Sequence, residues 1–302
     1  MEHKPFKTID EQIAILRDER GLVINDLDGA KKALTELNYY RLSGYTLTLR
    51  KNNKFYPSIT FDDVLQIYYF DRDLRFLLLN YLEDIEISLR THLGYILGEQ
   101  DSDPTEQFAY LNESTYAAPE VCESILDEIC KSVSDNSSEA FVKHHRTKYG
   151  GLLPAWAMVE TLSFGKASKL FSSLNTDLQK RICNDYYNGR RHKVMNNWFE
   201  GLVVLRNMCA HKIRLINRGI TYKPDFSNDD DKYLESQGYE RNQIGNRLFF
   251  RLIIIARVSA DPSIVNRIET DIDNLCKTYP FVDLKHYGFL HNWKEILEHL
   301  AE

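Results

Sequence analysis

The stretch TFDDVLQIYYFDRDLRFLLLNYLEDIEISLRTHLGYIL, residues 60–97, decides the fold. Apolar or aromatic side chains stand at 61, 64, 65, 68, 69, 74, 78, 81, 82, 85 and 89. Steps of three and four are the period of an α-helix that buries one face. The run has no proline, and its length predicts a spine helix with a kink near Phe70–Asp73.

The flanking sequence is helical too. Upstream, Thr8-Ile-Asp-Glu11 has the form of a capping box, in which hydroxyl and carboxylate satisfy each other's backbone N–H. It predicts a helix ending at Gly21. Asp26 or Asp28 opens a second helix reaching about Leu37, and Gly44 and the 51–57 stretch break the pattern. Downstream, 99–115 reads as a polar loop with a short helix. Helices are predicted at 118–134 and 138–148, from Pro154 to about Leu174, and at 176–187 and 192–217. The stretch 224–236, with Asp229-Asp230-Asp231, reads as an acidic loop. Helices follow at 240–259, 263–278 and 293–300. Strand patterns are confined to short pieces around 45–50 and 55–60. The fold class expected is all-α, a helical bundle with a small N-terminal helical lobe. The lobe takes residues 1–58, the core 59–223, and C-terminal helices in 224–302 pack on that core.

Composition narrows the classes of function. Charged residues make 27% and hydrophobic ones 43% of the 302, which excludes wholesale disorder. Five cysteines at 122, 130, 183, 209 and 276 exclude a disulfide scaffold and favour a reducing compartment. No apolar run is long enough for a membrane span and the opening MEHKPFKTIDEQ has no apolar signal region, so a cytoplasmic location is expected. The net charge of −6 is unevenly spread. Residues 141–223 hold fifteen Lys/Arg against four acids, a local +11, which leaves −17 on the remainder. A basic segment in an acidic chain fits an anionic partner, and equally a solvated helix face.

The chemistry-bearing candidate is Arg206-Asn-Met-Cys-Ala-His211, continued by Lys212-Ile-Arg214-Leu-Ile-Asn-Arg218. On a helix running to 217, Leu202, Leu205 and Cys209 form an apolar stripe. Asn207, His211, Arg214 and Arg218 then share the opposite face, while Arg206 lies about 140° from His211. This set suits RNA cleavage without a metal. An imidazole can move the proton that leaves the 2′-hydroxyl or reaches the departing 5′-oxygen. Guanidinium stabilises the charge gathering on phosphorus-bound oxygens. The alternative is a helix end whose basic residues merely complement its dipole.

Four ordered blocks carry a resemblance. The first is Lys4-Pro5-Phe6 with Ile9-Asp-Glu-Gln-Ile13 and Asn38-Tyr-Tyr-Arg-Leu-Ser-Gly-Tyr45. The second is Phe61-Asp-Asp, Tyr69-Phe-Asp-Arg-Asp-Leu-Arg75 and Ile85-Glu-Ile-Ser-Leu-Arg90. The third is Leu153-Pro-Ala-Trp156 with Leu162-Ser-Phe-Gly165, and the last is the 206–218 motif. On these, residues 5–220 resemble the AbiD/AbiF-like abortive-infection family, whose C-terminal part is a HEPN domain. The resemblance implies a metal-independent endoribonuclease with Arg206 and His211 as the catalytic pair and Asn207 as the polar residue after the arginine. It implies no cofactor and no metal. It also implies a homodimer with two motifs across one cleft, and restraint by an antitoxin RNA or protein. Lys212 after His211, and Ile216 where tryptophan is frequent, depart from the pattern and bear on substrate preference.

RNA contacts are expected from Arg214, Arg218 and Lys212, and from Arg190, Arg191 and Lys193 ahead of the motif helix. Tyr39, Tyr40 and Tyr45 read as packing residues at a lobe junction, with base stacking as the other reading. Asp71, Arg72 and Arg75 read as helix ion pairs, as do Glu83, Glu86 and Arg90, with Arg90 or Arg75 facing an RNA cleft as the other reading. Trp156 and Phe164 read as core on one helix. Lys143–Lys148 forms a second basic cluster without metal-ligand spacing. Two other functions stay open: a non-catalytic RNA-binding or sensing module, and a helical scaffold using the acidic 229–231 loop.

Overall fold

The computed structural model describes residues 5–100, 108–220 and 222–301. Lys4 of the first block, residues 1–4 of the expected lobe, 101–107 of the expected polar loop, and Thr221 and Glu302 lie outside the described residues.

The capping box forms as the sequence predicts. Thr8 Oγ1 accepts from Glu11 N–H, and Glu11 accepts from Thr8 N–H. Helix α1 (Ile9–Ala14) follows and continues as a π-helical turn over Ile15–Glu19. Asp26 caps α2 (Leu27–Leu37), and α3 (Tyr39–Ser43) follows at once. A ribbon of β1 (Arg50–Lys51) and β2 (Lys54–Phe55) pairs Arg50 with Phe55 and Lys51 with Lys54. Its two turn residues, Asn52 and Asn53, both have positive φ, the form that matches strand twist in two-residue hairpins.

Helix α4 (Phe61–Gln100) is the spine: 40 residues, roughly 60 Å at 1.5 Å per residue. Thr60 and Asp63 cap its start reciprocally, at 2.8 and 3.1 Å. Phe70, Leu74, Leu78, Leu82, Leu89, Leu93 and Leu97 are all fully buried, because helices surround α4 on several sides. They are α5 (Pro119–Asp135), α6 (Ala140–Lys148), α7 (Ala155–Met158), α8 (Phe164–Ser173), α9 (Thr176–Tyr186), α10 (His192–Ala210), α11 (Asn228–Ser236), α12 (Leu248–Val258), α13 (Ile264–Thr278) and α14 (Trp293–Ala301). Among them α7, α8, α9, α10, α12 and α13 touch the spine directly. The fold is all-α, with one hydrophobic core running from Ile13 to Leu300. Residues of the last eighty take part: Tyr81 donates to Asp271 at 2.6 Å, and Tyr279 donates to Asp73 at 2.5 Å. No helix among the described residues is long and apolar enough to cross a membrane.

Four readings need correction. The helix expected from Pro154 to Leu174 is two helices, because Leu162 and Ser163 are extended. Trp156 therefore does not share a helix with buried Phe164. It is 60% exposed and lies over the spine where glycines leave room: a Cβ on Gly94 would meet its Cα at 3.1 Å, and one on Gly98 its ring at 3.1 Å. The acidic loop is partly helix α11, started by a capping box of Ser227 and Asp230. Asp230 also takes both Nη atoms of Arg257 at 2.8 and 2.9 Å, so it is no free contact surface. The helix expected from 240 begins only at Leu248. The helix expected to reach 217 stops at Ala210, with consequences for the motif.

Candidate active site

A helix ends where its last carbonyls find other partners. Lys212 takes a left-handed conformation, φ 58°, just past α10. The Ile213 N–H then bonds Met208 O at 2.9 Å and the Lys212 N–H bonds Cys209 O at 3.0 Å. This paired closure makes His211 the C-cap. Glycine holds that left-handed position at least cost, whereas a Cβ there is strained. Lys212→Gly should therefore raise stability by about 0.5–1 kcal/mol. A urea midpoint that stays or falls would contradict this account of the turn.

The chain after the turn is clamped rather than helical. Asp71 on α4 is fully buried, and its Oδ1 accepts the N–H groups of Leu215 and Ile216, both at 3.0 Å. Tyr45 donates to Asp71 at 3.1 Å and Tyr287 at 3.2 Å, while Arg75 forms a buried ion pair with it. Burial pushes the Asp71 carboxyl up, opposed by the Arg75 charge and by the Ile216 and Leu215 N–H groups. Burial also pushes both tyrosine hydroxyls up, so they stay donors. One carboxylate thus ties together the N-terminal lobe, the spine, the post-motif segment and the C-terminal part. The helix ion pair read from i, i+4 spacing is the centre of this clamp.

The predicted site residues divide accordingly. Asn207 and His211 are exposed, one turn apart, and the His211 ring makes no hydrogen bond to any described residue. Arg206 is partly buried at 35% exposure. Its Nε lies 3.7 Å from Glu86 and its Nη1 donates to Asn207 Oδ1 at 3.3 Å. Cys209, inside the motif, is buried and its thiol is pushed up to about 12 by burial, which removes it as a nucleophile. The shared polar ridge through Arg214 and Arg218 does not exist, because the helix has ended. Arg214 turns to the N-terminal lobe and donates to Gly44 O. Arg218 is exposed but lies beyond a second left-handed residue, Asn217. Lys212 is exposed, and its carbonyl accepts from Arg41 of α3 at 3.2 Å.

The basic run ahead of α10 is also split. Arg191 and Lys193 are exposed, but Arg190 is half-buried with its guanidinium 5.3 Å over the Trp198 ring. Burial, then the nearby Arg257 charge, holds its pKa low. Arg190 is a packing residue first. The run sits at the opposite end of α10 from His211, roughly 27 Å away along the axis. One copy of the chain therefore sets Asn207 and His211 one turn apart with Arg206 bonded to Asn207, keeps Lys212 next to His211, and leaves Arg191 and Lys193 at the far end of α10.

Glu86 and Arg90 join the site from α4. Glu86 lies between Arg206 and Arg90, 3.7 and 3.9 Å from them, and Arg90 also donates to Leu162 O at 3.3 Å. The sequence signal was the block Ile85–Arg90, but only the packing of α4 on α10 pairs it with the motif. Arg41 carried no signal of its own. Among the described residues no group of three or more His, Cys, Asp or Glu stands ready to hold a metal ion.

A family described as Abi-like protein matches residues 32–217, well over half the chain. The chain belongs to this abortive-infection family. The Abi-like region opens inside α2 and closes at Asn217, so it contains the motif and the segment clamped by Asp71. Tyr287 lies outside it. No curated protein and no solved structure matches the chain.

Proposed function

We propose that this Abi-like protein is a metal-independent endoribonuclease of the HEPN type, the toxin of a phage-defence system. One observation carries the reading: His211 presents an exposed imidazole with no hydrogen bond to any described residue at the end of α10, one turn from Asn207, which in turn holds Arg206. Loop residues positioned by a rigid scaffold without packing duties are where function concentrates.

In the proposed reaction the 2′-oxygen of single-stranded RNA attacks phosphorus and the bond to the 5′-oxygen breaks. The products are a 2′,3′-cyclic phosphate and a 5′-hydroxyl. A proton leaves the 2′-hydroxyl and one arrives on the 5′-oxygen, so no net proton is consumed. His211 carries one of these transfers, and Arg206, held by Glu86, offsets charge on the phosphoryl oxygens. Arg206 and His211 diverge by about 140° around α10, so a second copy of the chain supplies the convergent groups and the working unit is a homodimer. Light scattering at assay concentration should give twice the chain mass; a monomeric mass with full activity would remove the dimer. Restraint in uninfected cells falls to an antitoxin, RNA or protein, lying on the basic segment.

The deciding experiment is digestion of single-stranded RNA in EDTA by wild type and His211→Ala, with end groups identified. Cyclic-phosphate ends lost in the variant are expected. Ends with 5′-phosphate, or cutting abolished by EDTA, would sink the mechanism. Binding without cutting by either protein would favour a non-catalytic RNA-binding module.

A further inference from the structure

Beside α3, the N-terminal lobe carries a groove of about 700 Å³. That lies within the roughly 300–1,000 Å³ usual for ligand sites. Two of its aromatic side chains are unusually open to water, Phe6 at 86% and Tyr40 at 76% exposure. Tyr39 also lines it, edge-on to Tyr40 with centroids 6.2 Å apart. The outward set of Tyr40 is fixed by the backbone: Asn38, at φ 64°, starts α3 and accepts the Tyr40 N–H on its side chain at 2.8 Å. Two guanidiniums line the groove without an ion pair among the described residues, and one carboxylate, Glu19, lines it beside them. Arg20 lies 5.8 Å over the Tyr39 ring. Arg50 donates to Asn53 at 2.6 Å, but its buried Nε has no hydrogen-bond partner among the described residues.

We infer that this groove binds single-stranded RNA, stacking bases on Tyr40 and Phe6 and taking phosphates on Arg20 and Arg50. Aromatic faces accept any base, and unneutralised guanidiniums grip phosphate oxygens in pairs. The groove adjoins the motif through one short helix: Tyr40 lines the groove, and the next residue, Arg41, donates to Lys212 O. A strand held on the lobe is thereby led over α3 towards His211. The inference rests on the ribonuclease reading for its direction, though not for the groove itself.

The test measures fluorescence anisotropy of a labelled ten-nucleotide oligouridylate on the full chain carrying His211→Ala, so that the probe is not cut. Adding Tyr40→Ala or Phe6→Ala should weaken binding about five-fold or more, whereas Tyr40→Phe, which keeps the ring, should bind like the parent. Both residues are exposed, so circular dichroism should show intact folding. Binding indifferent to both alanine changes overturns the groove, as does a parent that binds no oligouridylate. Wild-type cleavage is scored separately. Cutting with Tyr40-indifferent binding sinks the groove alone, and groove-dependent binding without any cutting sinks the ribonuclease reading alone.

Discussion

His211→Ala should slow RNA cleavage by about 10²–10⁴-fold, the usual worth of a positioned general acid or base. The protein should otherwise stay intact. The C-cap bonds at this position are made by backbone atoms, His211 N–H to Asn207 O at 2.9 Å among them, and alanine preserves them. The ring is exposed and makes no hydrogen bond to any described residue, so its removal should change stability by no more than about 0.5 kcal/mol. The loss should fall on kcat, since the imidazole acts in the transition state more than in binding. Arg206→Ala should do much the same. Arg206→Lys should rescue little, because an ammonium lacks the planar fork that meets Glu86 on one side and a phosphoryl group on the other. A His211→Ala enzyme cutting at the wild-type rate would end the assignment.

Asp71→Ala should lower stability by about 3–5 kcal/mol, the cost of leaving one member of a buried ion pair alone. Arg75 is 4% exposed and would be left without its counterion. The N–H groups of Leu215 and Ile216 and the hydroxyls of Tyr45 and Tyr287 would lose their acceptor too. Each unsatisfied buried donor is costly in its own right. Asp71→Asn keeps the volume and one acceptor oxygen but not the charge, so a smaller loss is expected. Urea unfolding gives the totals, and amide exchange at Leu215 and Ile216 gives the local effect. Both amides should exchange faster in the asparagine variant even where the protein is still folded. An unchanged urea midpoint for Asp71→Ala would show that the clamp contributes nothing.

The sequence made some of this legible and hid the rest for identifiable reasons. The spine was open to reading because three-four periodicity over 60–97 has no competing pattern. The Thr8 box was legible because both of its partners lie within four residues. Ser227 and Asp230 form the same device, yet three successive acids after Pro224 read as solvated loop. The end of α10 was not legible. Its turn residue is Lys212, not the glycine or asparagine that marks such closures, and the carboxylate that captures the next two amides comes from Asp71, distant in sequence. The motif was legible as a pattern, while the ridge expected through Arg214 and Arg218 ended with the helix. Arg190 was misjudged because a run of charges does not reveal that Trp198, two turns on, takes one of them as a lid. The exposed rings of Tyr40 and Phe6 were equally hidden, since aromatic composition says nothing about which side of a short helix faces water.

The Asp71 clamp also sets an order of events during synthesis. Its partners are spread from Tyr45 to Tyr287, and the carboxylate that holds the segment following His211 has its full set of bonds only when all are in place. A chain still emerging from the ribosome has made the motif long before it has made Tyr287. The nascent chain therefore closes the end of α10 through local backbone bonds while the segment behind it still lacks its last partner. On the proposed ribonuclease reading, full competence would come with the last part of the fold, and a restraining partner made alongside the chain would have time to bind first.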